Sequence, residues 1–156
     1  MKISAQEEYG LRCLVQLANL EEGETLTLPE ISKREGISTA NAGKLMWLLS
    51  KADFVKATRG TKGGYCLARP SGDICLSEVI KVLDRDEIEG HCESYSGVKD
   101  SCVHTGDCGI RPVIVGLHEI VQNALSNITL AQLVGTEKKV DERFHRIHGL
   151  RSTLNI

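Results

Sequence analysis

The sequence predicts a mainly α fold with one small β-hairpin. Three observations lead there: helical apolar stripes broken by a short turn at Gly36, a glycine-rich segment between two strand-like stretches, and a wide apolar stripe from Ile110 to Ile128. With 156 residues, 41% of them hydrophobic and 26% charged, the chain has the composition of an ordinary soluble domain with its own core. No apolar stretch is long enough to cross a bilayer, and Glu7 and Glu8 stand where a secretory leader would begin its apolar run. A cytoplasmic protein without a membrane partner is the expectation.

The elements follow in order. Tyr9, Leu11, Cys13, Leu14, Leu17, Ala18 and Leu20 recur at helical steps, and Ser4 with Glu7 has the form of a capping box. Thr27-Leu28-Pro29-Glu30 starts a second, short helix that ends at Gly36. Ser38 or Thr39 then caps a third, running through Leu45, Leu48, Leu49 and Ala52. Two helices joined across so short a turn have the spacing of a helix-turn-helix. Val55–Thr58 and Tyr65–Ala68 read as strands flanking Arg59-Gly60-Thr61-Lys62-Gly63-Gly64, a hairpin with a basic tip. Helix, helix-turn-helix and hairpin in this order describe a winged helix. A short helix over Ser77–Leu83 follows, then a long loop over 90–109, whose length asks for a functional reason. The Ile110–Ile128 stripe is the widest apolar face of the chain, Thr129 caps a short helix over Leu130–Val134, and the rest is a charged tail in which Phe144, Ile147 and Leu150 permit one more short helix. His145 and His148 in that tail read as solvent-exposed rather than as a metal site.

Net charge is −2, but it is unevenly spread. Lys33 to Arg69 holds eight basic and two acidic residues, a local +6, whereas Ser71 to the end carries −4. A localised basic surface of this kind suits a polyanion, and a helix of this fold fits the major groove of double-stranded DNA. Ser38, Thr39, Asn41 and Lys44 are the residues expected to face the bases, with Asn41 able to pair with adenine through two hydrogen bonds, while Arg59 and Lys62 reach a minor groove or flanking phosphates. Few aromatic residues argue against a single-strand stacking platform. The glycine-rich segment lacks the Gly-Lys-Ser/Thr ending and following helix of a nucleotide-binding loop. No enzyme activity is expected. A winged helix that contacts protein rather than DNA is the rival reading from another class.

Of six cysteines, Cys13, Cys66 and Cys75 lie in or beside apolar elements and read as small buried hydrophobes. Cys92, Cys102 and Cys108 share the long loop, with nine and five residues between them. Three thiolates leave one position of a four-ligand site open, for which His91, His104 or a carboxylate from elsewhere are available. Spacing leaves an iron–sulfur cluster, structural zinc and oxidation-sensing thiols all standing.

Met1-Lys2-Ile3-Ser4 with Glu8-Tyr9-Gly10-Leu11-Arg12, Ile37-Ser38, the wing from Arg59 to Pro70 and the three-cysteine loop resemble the IscR/NsrR family of winged-helix iron–sulfur transcription regulators, over about residues 1–134. The resemblance implies a homodimer whose long helices cross, with a 2Fe-2S or 4Fe-4S cluster between the DNA-binding unit of one subunit and the loop of the other. It carries the thiolate ligands onto Cys92, Cys102 and Cys108, and the fourth ligand onto Glu8 of the other subunit, as in members similar to the nitric-oxide sensor. The histidine used by the assembly-regulator branch is here Arg111. A redox-sensing branch with a glutamate, a histidine and only two cysteines fits less well, since Glu35 stands near that histidine's place. Asn41-Ala42 also departs from the bulky pair common in the family's recognition helix. The implied organisation is a winged-helix DNA-binding region at 1–84, a cluster-binding loop at 85–109, a dimerisation helix with its following short helix at 110–134, and a charged tail at 135–156.

Overall fold

A computed structural model describes residues 3–60, 63–84, 102–104 and 106–149. Helices α1 (Ala5–Ala18), α2 (Leu28–Glu35) and α3 (Thr39–Lys51) precede the hairpin β1 (Val55–Thr58) and β2 (Gly64–Leu67). A 3-10 turn at Ser71–Asp73 leads to α4 (Leu76–Leu83), and after the loop come α5 (Arg111–Ser126), α6 (Leu130–Leu133) and α7 (Glu137–His148). The expected winged helix is present.

Local chemistry marks the helix ends. Ser4 Oγ accepts from the Glu7 amide at 3.2 Å, and the Glu7 carboxylate accepts from the Ser4 amide at 2.6 Å, closing the capping box. Thr27 and Glu30 repeat the device on α2, and hydrogen bonds from the Thr27 hydroxyl and amide hold the Glu30 carboxyl below its usual range. Gly36 ends α2 in the left-handed conformation, φ 65°. Ser32 Oγ then donates to the Ile37 carbonyl at 2.6 Å, pinning the turn into α3, whose N-cap is Ser38.

Packing builds one core beneath the three helices. Cys13, Leu14 and Leu17 of α1 meet Ile31 of α2, Ala42, Leu45, Met46 and Leu49 of α3, Phe54, Val55, and Val79 and Leu83 of α4. The hairpin is antiparallel with Val55 opposite Leu67 and Thr58 opposite Gly64. Leu26 adds a bridge to Tyr65, through hydrogen bonds of 3.0 and 2.7 Å. Gly64 is required there, because a Cβ would sit 2.7 Å from the Leu26 carbonyl oxygen.

After α5 the chain returns to the core. Leu130 donates its amide to Ile74 and is fully buried, and the Leu76 amide bonds to Ile128. The tail forms α7, a longer helix than the charged sequence led one to expect. Arg143 donates to the Val134 carbonyl at 2.8 Å and tethers it to α6. His145 is not freely solvated, since its Nδ1 lies 2.8 Å from the Asp141 carbonyl oxygen.

The N-terminal half of α1 is fastened to the end of α4. Gln6 Nε2 donates to the Leu83 carbonyl at 2.7 Å, and Gly10 lies so close to Leu83 that a Cβ there would overlap one methyl and approach the other to 2.8 Å. Gly10→Ala is therefore expected to cost about 1–3 kcal/mol by overpacking. Thermal melts should show the loss, and Leu83→Val in the same chain should recover part of it.

Candidate functional site

Exposed polar side chains on α3 form the basic face. Ser38, Thr39, Asn41 and Lys44 are all exposed, while Ala42, Leu45, Met46 and Leu49 turn to the core. Ser38 Oγ accepts from the Asn41 amide at 3.2 Å, which orders the first turn and leaves the Asn41 amide group and the Lys44 ammonium outward. Arg59 is exposed at the wing, whereas Lys62 lies outside the described residues. Arg69 does not belong to this face, although it was counted in the basic segment. Its guanidinium pairs with Glu78 at 2.6 Å and covers the Phe54 ring at 5.2 Å.

The second group of residues concerns metal ligation. Cys102 and Cys108 are half-buried free thiols, and Cys108 stands three residues before α5 begins. Cys92 and His91 lie outside the described residues, and His104 is exposed. Glu8 is on α1 with its carboxylate half exposed, and Arg12 donates to it at 2.6 Å one helical turn on. Its neighbour Glu7 is buried and committed to the capping box. Adjacent carboxylates thus differ in kind: Glu7 is buried and holds the helix start, and Glu8 is half exposed and paired with Arg12.

Among the described residues no cluster of three or more His, Cys, Asp or Glu could hold a metal ion within one chain. The donor chemistry nonetheless fits an iron–sulfur centre, with thiols outside any disulfide before α5 and a surface carboxylate on α1.

The remaining cysteines separate by burial. Cys13 is completely buried, and burial followed by the nearby Glu35 charge pushes its thiol from 9.0 up to about 12. Cys66 and Cys75 are only half-buried, less enclosed than their apolar neighbours implied, and Cys75 is the N-cap of α4 with its Sγ 3.3 Å from the Ser126 carbonyl oxygen. Native-state alkylation at pH 8 should therefore spare Cys13 while modifying Cys102 and Cys108 in cluster-free protein, read by peptide mass spectrometry. A raised thiol value also fixes a direction. Cys13 contributes stability fully present below the unfolded-state value and lost as pH rises toward about 12.

The long helix leaves its apolar side open. None of α5 is buried, and Ile110, Val113, Ile114, Val115, Leu117 and Ile120 are all exposed. No helix among the described residues is long and apolar enough to cross a membrane. Two residues stand in the sequence without an assigned role: Arg12, signalled by its four-residue spacing from Glu8, and Trp47, three residues beyond Lys44 on the outer side of α3 and 60% exposed.

Comparison with known proteins agrees with this architecture. Residues 3–136 match the Rrf2 family, described as an iron-dependent transcriptional regulator. Over 155 residues the chain is 29% identical to the HTH-type transcriptional regulator IscR of Citrobacter koseri, spanning 98% of this chain and 93% of that one. It is similar to the solved structure of T. potens IscR, with 30% identity and a TM-score of 0.64 over 84% of each chain. The oxidized form of CymR from Staphylococcus aureus is similar too, with 26% identity and a TM-score of 0.67 over 87% of this chain and 98% of that one.

Proposed function

Because this chain belongs to the Rrf2 family of transcriptional regulators, we propose that it is a homodimeric DNA-binding regulator whose operator affinity is set by an iron–sulfur cluster. Cys92, Cys102 and Cys108 of one protomer and Glu8 of the other would hold a 2Fe-2S or 4Fe-4S centre. The observation that carries this reading is the open apolar face of α5 directly after Cys102 and Cys108. A helix that leaves Val113, Leu117 and Ile120 exposed in its own protomer has a second copy as its natural cover, and that pairing brings the thiols of one chain toward the surface of another.

When bound, the cluster supplies one-electron redox chemistry and sensitivity to small oxidants. The chain's own residues couple that event to DNA. Glu8 has two alternative partners, the shared centre or Arg12, and α1 is packed through Leu14 and Leu17 into the core that seats α3. With Glu8 paired to Arg12 instead, α1 of one protomer would no longer be linked to the loop of the other, and the spacing between two recognition helices would relax. On DNA, Lys44, Arg59 and Lys62 take phosphates or groove edges, and Asn41 reads a base edge.

Salt-dependent duplex binding tests the DNA half. Affinity for a duplex selected from a random pool should fall by about 10³-fold or more between about 50 and 200 mM salt. No binding at any salt would favour a protein-contacting adaptor. A thiol-based regulator is the second reading, favoured by the likeness to CymR, and zinc held by the same cysteines is the third. Iron and acid-labile sulfide in equal amounts exclude both.

A further inference from the structure

Trp47 is the only tryptophan of the chain, and its ring stands 60% exposed on α3 with the Lys51 ammonium 5.5 Å from the ring centre. At 100° per residue, Ala40, Lys44, Trp47 and Lys51 fall within an arc of about 60° on the helix surface. All four are exposed. Trp47 lies six residues beyond Asn41, a rise of about 9 Å along the axis. When the first turn of α3 enters the major groove, a side chain that far along has left the base edges and stands beside the sugar–phosphate backbone.

We propose that Trp47 is a DNA contact, resting on the duplex-binding reading above, in which the indole packs on a deoxyribose at the groove wall and its N–H donates to a phosphate. Charge complementarity selects this occupant over an apolar protein surface. Lys44 and Lys51 stand about one helical turn to either side of the ring, both exposed, with Lys51 over its face. Stacked over the indole, the Lys51 ammonium is held in place to meet a neighbouring phosphate. An unflanked tryptophan would suit a protein partner; one between two lysines on the recognition helix suits a polyanion.

The single tryptophan makes the test direct. Emission from the full chain is recorded while a duplex selected from a random pool is added, in cluster-loaded and cluster-free samples alike. Binding should shift the emission and at least halve acrylamide access to the ring. Trp47→Ala should weaken binding about tenfold and Trp47→Phe by less, with the dimer unchanged, while Lys51→Gln should lower the salt slope by about one phosphate. Saturating duplex binding with unchanged emission, unchanged acrylamide access and unaltered Trp47→Ala affinity overturns the proposal and leaves the DNA-binding reading intact. Dissociation of the dimer by Trp47→Ala overturns it in favour of a contact between copies. Failure of the unsubstituted chain to bind any duplex removes both.

Discussion

Replacing Leu117 and Ile120 together by glutamate is expected to turn a dimer into a monomer and to lower operator affinity by about 10²–10⁴-fold, the avidity lost when two half-sites are no longer bound at once. These side chains are 59% and 65% exposed, and with Val113 they lie along one side of α5 at steps of four and three residues. Fully burying a side chain of this size is worth about 1.5–3 kcal/mol, and a partner helix would bury both from each protomer. Glutamates in that seam would lose the apolar burial and place like charges near one another without partners. The protomer itself should keep its fold, because no residue of α5 is buried within it. Sedimentation velocity and circular dichroism on the same sample separate the two effects. Retention of the dimer would show that another surface joins the subunits.

Cys108→Ser should abolish stoichiometric iron and sulfide, and Glu8→Ala should leave a centre lost far faster on exposure to oxidant. Neither change should move the melting temperature of the cluster-free chain by more than a degree or two, since Cys108 and Glu8 lie outside the core. The neighbouring Glu7→Ala makes the opposite pattern. It removes half of the capping box and should cost about 0.5–2 kcal/mol in stability while leaving iron content unchanged. A carboxylate is a harder ligand than thiolate, so in the proposed set Glu8 would be the weak member. Arg12→Ala, by deleting the competing partner at 2.6 Å, should slow loss of the centre. If Glu7→Ala and Glu8→Ala exchanged these effects, the assignment of the two carboxylates would be reversed.

What was legible in the sequence was chemistry that acts over one turn of chain. Ser4 with Glu7, Thr27-Leu28-Pro29-Glu30, and Ser38 or Thr39 before α3 marked helix starts because a cap needs only residues close in the chain; the structure selects Thr27 and Ser38. The strands of the wing were visible because turn residues separate them. What was not legible depended on partners far along the chain. Leu26 pairs with Tyr65 across the whole helix-turn-helix, and α7 is tethered through Arg143 to carbonyls of α6, so neither leaves a local pattern. Arg69 belongs to the basic run in sequence, but in the fold it pairs with Glu78 and lies over Phe54, neither of which is near it in the chain. Glu8 entered through a resemblance to a family, and its pairing with Arg12, like the capping of Glu7, is seen only in the folded helix.

Whether one bound centre controls one DNA-binding face is tested on a single anaerobic sample. Iron, zinc and acid-labile sulfide are assayed together with the visible spectrum, and duplex affinity is measured before and after the centre is removed by oxidation. The account predicts equal iron and sulfide, no zinc, visible charge-transfer bands, and a change in affinity of about tenfold or more, within the usual range for coupled sites. Absence of iron and sulfide even after anaerobic reconstitution, or the same duplex affinity in both states, would contradict it.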